Sequence, residues 1–78
     1  MTKKEFIKKF ELRKTNTTAI FSDGMQRKER KLYIDKYNGL FVFYGNDLHA
    51  VEPYKTNPYI EGMEELRCKL CAAYSWYK

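Results

Sequence analysis

Residues 31–44 read K-L-Y-I-D-K-Y-N-G-L-F-V-F-Y, and the folding of this stretch decides how the rest of the chain is arranged. Two runs rich in aromatic and β-branched residues flank Asn38-Gly39, the strongest short-range signal for a β-hairpin. Both central residues of a type I′ turn need positive φ, which Asn and Gly tolerate best. A two-residue loop would set Tyr37 opposite Leu40, Asp35 opposite Val42 and Tyr33 opposite Tyr44, with Lys36 opposite Phe41 and Ile34 opposite Phe43. Side chains alternate across a strand. That register predicts a core face of Leu32, Ile34, Phe41 and Phe43. It leaves Tyr33, Tyr37, Tyr44, Asp35, Leu40 and Val42 on a wetter, tyrosine-rich face.

Working outward toward the N-terminus, Thr2-Lys3-Lys4-Glu5 fits a capping box. Phe6, Ile7 and Phe10 follow at helical spacing, with Lys3, Lys4, Lys8 and Lys9 away from them. A short amphipathic helix over about residues 3–12 is expected, although F-E-L-R-K also alternates as a strand from Phe10 would. Thr15-Asn16 reads as a turn or loop, and the β-branched run Thr17–Ser22 as a strand. Asp23-Gly24 is a further turn signal. Beyond it, either a tight hairpin opens a second strand at Met25 or residues 23–30 form a longer basic loop. In both cases the run Arg27-Lys28-Glu29-Arg30-Lys31 lies at a sheet edge or a hairpin tip.

On the other side, Gly45-Asn46-Asp47 marks a turn, and Leu48–Val51 a short strand ended by Pro53, which has no amide to donate. Asn57-Pro58 resembles a helix start. Steps of about 100° per residue place Tyr59, Ile60, Leu66, Leu70, Cys71, Ala73, Tyr74 and Tyr77 on one stripe, with Arg67 inside it. One long helix to Tyr77 is therefore expected, with Gly62 as a local cost. The resulting fold class is α+β: one domain, 1–78, in which an antiparallel sheet of three to four strands carries a long C-terminal helix on one face and a short N-terminal helix beside it.

The chain has 78 residues and a formal charge of +5, and the charge is unevenly spread. Residues 1–36 hold eleven Lys and Arg against five Asp and Glu, a balance of +6, whereas residues 37–78 hold four against five. Such asymmetry favours an anionic partner, though a solubilising surface has the same signature. No apolar run approaches the ~20 residues of a membrane span. The N-terminus lacks the apolar segment of a signal peptide. Two cysteines without such a signal suggest a reducing, cytoplasmic setting, host cytoplasm if the source is viral.

Catalytic chemistry finds little to work with. Cys68-x-x-Cys71 has only His49 to add, short of the four ligands a structural zinc needs. In the middle of a helix neither thiol gains the acidity that a helix N-terminus confers. Cys71 would lie in the apolar stripe and Cys68 outside it. One histidine cannot assemble a Ser-His-Asp or Cys-His set. Glu61, Glu64 and Glu65 read as charges that complement a helix dipole. No enzyme activity, cofactor or metal is expected.

Binding is better supported. Lys4, Lys8, Arg27, Lys28, Arg30 and Lys31 would neutralise phosphates with little sequence preference, and Tyr33, Tyr37 and Tyr44 would stack on unpaired bases. The expected partner is DNA or RNA, held non-specifically, and no membrane. The segment N-G-L-F-V-F-Y-G resembles the aromatic strand of RNA-recognition motifs. The likeness covers fewer than ten residues and lacks both the basic start and the β-α-β-β-α-β order, so that family's site is not carried over. The alternative is an inhibitor or adaptor that docks on an acidic protein surface through its tyrosines. In composition the chain is similar to small early proteins of large DNA phages, many of which block host enzymes, and that likeness implies such a role.

Overall fold

Ala19 and Phe21, Leu32 and Ile34, Leu40 and Val42, and Leu66 and Cys68 are four pairs of buried residues spaced two apart. Each pair marks a strand with one face turned inward. The structure, a computed structural model, describes residues 2–23 and 26–73. Its elements run α1 (Lys3–Phe10), β1 (Arg13–Asp23), β2 (Gln26–Ile34), β3 (Leu40–Tyr44), β4 (Asp47–Pro53) and β5 (Glu65–Ala73). The five strands close into a barrel in chain order. Neighbours are antiparallel, and β5 returns to pair with β1 in parallel, Ala19 beside Leu66. An up-and-down path of five strands starts and ends in the same direction, so closure requires that one parallel seam.

The expected α+β sheet under a long C-terminal helix is therefore not what this chain forms. Residues 58–64 are irregular, with Gly62 at φ +98, and residues 65–73 are strand β5. The last four residues of the expected helix, 74–77, lie outside the described residues. Arg67 explains the failure: a charge inside a helical apolar stripe is a misfit. In a strand Leu66 and Cys68 point inward while Glu65, Arg67 and Lys69 alternate outward.

The central hairpin exists, with a different register. Tyr33 pairs with Phe41 and Ile34 with Leu40, so Ile34 sits opposite a residue three short of the expected Phe43. An odd shift exchanges the faces of one strand relative to the other. Leu32, Ile34, Leu40 and Val42 line the interior, while Tyr33 and Phe43 lie outside. Asp35 causes the shift. Its Oδ1 accepts from the amides of Tyr37 (2.9 Å) and Gly39 (2.7 Å), and its carbonyl accepts from Asn38 (3.2 Å). This builds a five-residue loop with Asn38 alone at φ +65. A Cβ on Gly39 would come within 3.1 Å of the Asp35 carboxylate. The tight two-residue turn comes next in the chain. Tyr44 pairs with Asp47 across Gly45-Asn46, and Gly45 at φ +63 takes the first central position, as a type II′ turn requires.

The outward aromatic face is covered by α1. Thr2 and Glu5 form the expected capping box, with 3.1 and 3.3 Å bonds. The Thr2 amide and hydroxyl hold the Glu5 carboxyl below its usual pKa. At the other end Glu11 adopts the left-handed conformation, and the Leu12 amide reaches back to the Ile7 carbonyl at 2.9 Å. That closure carries no glycine, so residue types alone do not mark the boundary. Phe6 is fully buried against Tyr33, Phe43 and Leu48, with its ring 6.3 Å from Phe43.

Thr15 and Thr17 bend β1. The pairing with β2 shifts between Lys14 and Thr18. The Thr15 hydroxyl donates to the Leu32 carbonyl (2.8 Å) and accepts from the Thr17 amide (3.2 Å), and the Thr17 hydroxyl donates to the Met63 carbonyl (2.6 Å). A bulge of this kind lets one long strand turn a barrel corner.

Phe6→Ala should lower stability by about 3–5 kcal/mol, the usual cost of emptying a phenylalanine site. Urea unfolding followed by circular dichroism measures it. A loss below about 1 kcal/mol would mean that α1 does not close this face.

Candidate nucleic-acid interface

Cross-strand partners share a face, and Arg30 pairs with Ala19 while Lys28 pairs with Phe21. Both cations thus continue the inward row of β2. They do so beyond the point where β3 accompanies it, since β2 pairs with β3 only at Tyr33 and Ile34. β1 leaves β5 at Ile20 yet stays paired with β2 out to Asp23–Gln26. The result is a two-stranded arm projecting from the barrel. Its basic run lies within β2, not in a loop.

At the base of the arm sits Tyr44. The Arg30 guanidinium carbon lies 4.5 Å from its ring centre and the Lys28 Nζ 5.7 Å. His49 meets the ring edge-on at 4.9 Å with an interplanar angle of 87°, and Phe21 is tilted against it at 6.3 Å. Cations gather over an aromatic ring because its face is electron-rich. Four strands contribute: Phe21 from β1, the cations from β2, Tyr44 from β3 and His49 from β4.

The remaining residues expected to bind are dispersed. Lys4 and Lys8 are exposed together on the wet side of α1. Lys31 points to the outer side of β2, with its Nζ 3.3 Å from the Asn16 carbonyl. The Arg27 side chain lies outside the described residues. Tyr33 is 5 % exposed beneath α1 and T-shaped against Phe43 at 5.1 Å, so no base can reach it. Tyr37 is 80 % exposed in the 35–39 loop, far along β2 from the arm. Of the three tyrosines, only Tyr44 is brought to the basic run. Sequence reasoning missed His49 and Phe21. Reading Gly45-Asn46 as the tight turn would have placed His49 opposite Val42, on the same inward row as Tyr44.

Some of the basic surface is already engaged. Arg13 pairs with Glu61 at 3.1 Å and Lys36 with Glu11 at 2.8 Å, while on the other side Lys69 approaches Glu52 at 3.6 Å. All are exposed and worth little to stability. Among the described residues, no carboxylate lies within ion-pair distance of Lys4, Lys8, Arg30 or Lys31.

A groove of about 550 Å³ lies away from the arm, lined by Arg13, Ile34, Leu40, Val51, Tyr59 and Glu61 among others. Its two opposite charges are spent on each other. The cysteines do not form a redox pair. Three residues apart on a strand, they face opposite ways, Cys68 into the core and Cys71 outward, the reverse of the helical expectation. Burial pushes the Cys68 thiol up to about 11. Burial, and then the neighbouring Glu52 carboxylate, also raise Cys71 above its ordinary value. Among the described residues no three His, Cys, Asp or Glu side chains converge as a metal site would need. None of the described helices is long and apolar enough to cross a membrane. No family model, curated protein or solved structure matches the chain.

An alkylating reagent at pH 8 should modify Cys71 and spare Cys68 until the protein is unfolded, because a buried thiol with a raised pKa supplies almost no thiolate. Mass spectrometry of the labelled peptides reads this out. Equal labelling of both in the folded protein would contradict the inward placement of Cys68.

Proposed function

We propose that this protein is a small, basic, non-enzymatic binding module that takes hold of DNA or RNA through phosphate contacts, either alone or within a nucleic-acid-handling complex. The supporting observation is the pair of cations on the β1–β2 arm. Lys28 and Arg30 are gathered on the inward face around one ring, and Lys31 leaves the same strand on the outward face. An arm that is basic on both faces suits a polyanion that lies along it or wraps it. Lys4 and Lys8 on α1 extend the positive surface to a second element. Contacts of this type position a nucleic acid without reading its sequence.

A second reading has one observation in its favour. Tyr37 stands 80 % exposed on a loop braced by the Asp35 side chain. A rigid, presented tyrosine is a common anchor in protein–protein docking. An inhibitor or adaptor that meets an acidic protein surface would use it.

Salt titration separates the two. If phosphates are bound, each neutralised phosphate releases condensed counterions, so affinity for a random-sequence nucleic acid falls steeply with salt. Replacing Arg27, Lys28, Arg30 and Lys31 with Gln should flatten that slope by roughly one unit for each phosphate no longer neutralised. Absence of binding to any nucleic acid at low salt would overturn the proposal and leave the protein-docking reading.

A further inference from the structure

Resting on that reading, we infer that the opening between β2 and β3 is a seat for one unpaired base and its phosphate, so that the module takes single-stranded nucleic acid in preference to duplex. Three observations converge there. Among the described residues, the strand pairing of β2 with β3 stops at Tyr33, so residues 26–32 run past β3 without a ladder to it. The half-buried ring of Tyr44 is set in that opening, at the end of β3 and next to the tight Gly45-Asn46 turn. The ring is flanked by His49, edge-on at 4.9 Å, and by Phe21, tilted at 6.3 Å.

Two cations lie over the ring. The Arg30 guanidinium lies over Tyr44 while one of its nitrogens donates to the Glu29 carbonyl of its own strand at 2.7 Å. A cation resting on an aromatic ring is held weakly when exposed, and it gains more from a phosphate, where the bond is charge-assisted. An incoming nucleotide therefore offers an exchange. Its phosphate draws the Arg30 guanidinium off the ring, with Lys28 close by, and its base stacks where the guanidinium was. Every base has a π-face, so the seat is tolerant of sequence. Bases inside a duplex are stacked on each other and cannot use it. Tyr44 thus serves as the platform, Arg30 and Lys28 as the phosphate clamp, and His49 and Phe21 as the residues that fix the ring.

The test compares fluorescence anisotropy of a labelled oligothymidine of about ten nucleotides, within the usual site sizes of single-strand binders, with that of a duplex of equal length. Wild-type protein, Tyr44→Leu and Tyr44→Phe are each checked for folding by thermal melting. The wild type should favour the single strand. Tyr44→Leu should lower single-strand affinity roughly five- to hundredfold while leaving duplex affinity in place, and Tyr44→Phe should keep the preference because the ring remains. If both nucleic acids bind with similar affinity and Tyr44→Leu alters neither, the seat is overturned while phosphate-driven binding stands. If neither binds, the proposed function fails and the seat with it. Tyr44-dependent capture of a polyglutamate peptide, with no single-strand binding, would overturn the assignment in favour of an acidic protein segment.

Discussion

Leu66 and Cys68 enter the interior from β5, and the closed sheet depends on them. Leu66 is fully buried and Cys68 nearly so, and they join Ala19, Phe21, Leu32, Ile34, Val42 and Val51 in one cluster. Without β5, β1 and β4 would both be open edges, a recognised route to mispairing. The seam with β1 is parallel and short, with Thr18, Ala19 and Ile20 beside Glu65, Leu66 and Arg67. Side chains and loops reinforce it. The Thr17 hydroxyl holds the Met63 carbonyl at 2.6 Å, and the Thr18 amide holds the Glu64 carbonyl at 2.8 Å. These bonds deliver the irregular 54–64 segment to the barrel at the point where the chain must rejoin β1.

A chain of this length buries too little with a single interior, and here the aromatic residues are used on both sides of the sheet. The interior takes mostly aliphatic residues with Phe21. The outer face takes Tyr33, Phe43 and Leu48 under Phe6 and Leu12 of the N-terminal segment. This has a functional consequence. Tyr33, whose chemistry suits base stacking, is committed to packing, and the Lys3 ammonium lies 5.5 Å from its ring. Of the three tyrosines expected to stack, Tyr44, where the sheet parts, and Tyr37 on its loop are not committed in this way. The described cations expected to bind lie on α1 and on β2.

Much of this is legible in the sequence where the determinants are local. The capping box at Thr2 and Glu5, the helix it starts, the strand character of residues 17–22 and 40–44, and the one-sided charge all follow from neighbouring residues. The register of the central hairpin is not legible from Asn38-Gly39 alone, because a side chain decides it. Asp35 caps two amides and converts the expected two-residue turn into a five-residue loop. The C-terminal third misleads for a different reason. L-R-C-K alternates, but its neighbours Tyr59, Ile60 and Leu70 also satisfy a helical stripe, and Ile60 and Leu70 prove exposed at 67 % and 45 %. What makes residues 65–73 a strand is pairing on both sides, with β4 over residues 68–73 and, over residues 65–67, with β1 nearly fifty residues away in sequence. For the candidate site, the basic residues are visible in the sequence, but their grouping around Tyr44 with Phe21 and His49 requires the register of four strands.

The barrel stands or falls with residues 65–73 as its closing strand. Backbone chemical shifts of isotope-labelled protein, together with nuclear Overhauser effects, test this most directly. The expected result is extended-chain shifts across 65–73, with cross-strand effects joining Leu66 to Ala19 on one side and Leu70 to Val51 on the other. Helical shifts over the same residues, with effects between positions three and four apart and none to Ala19, would contradict it.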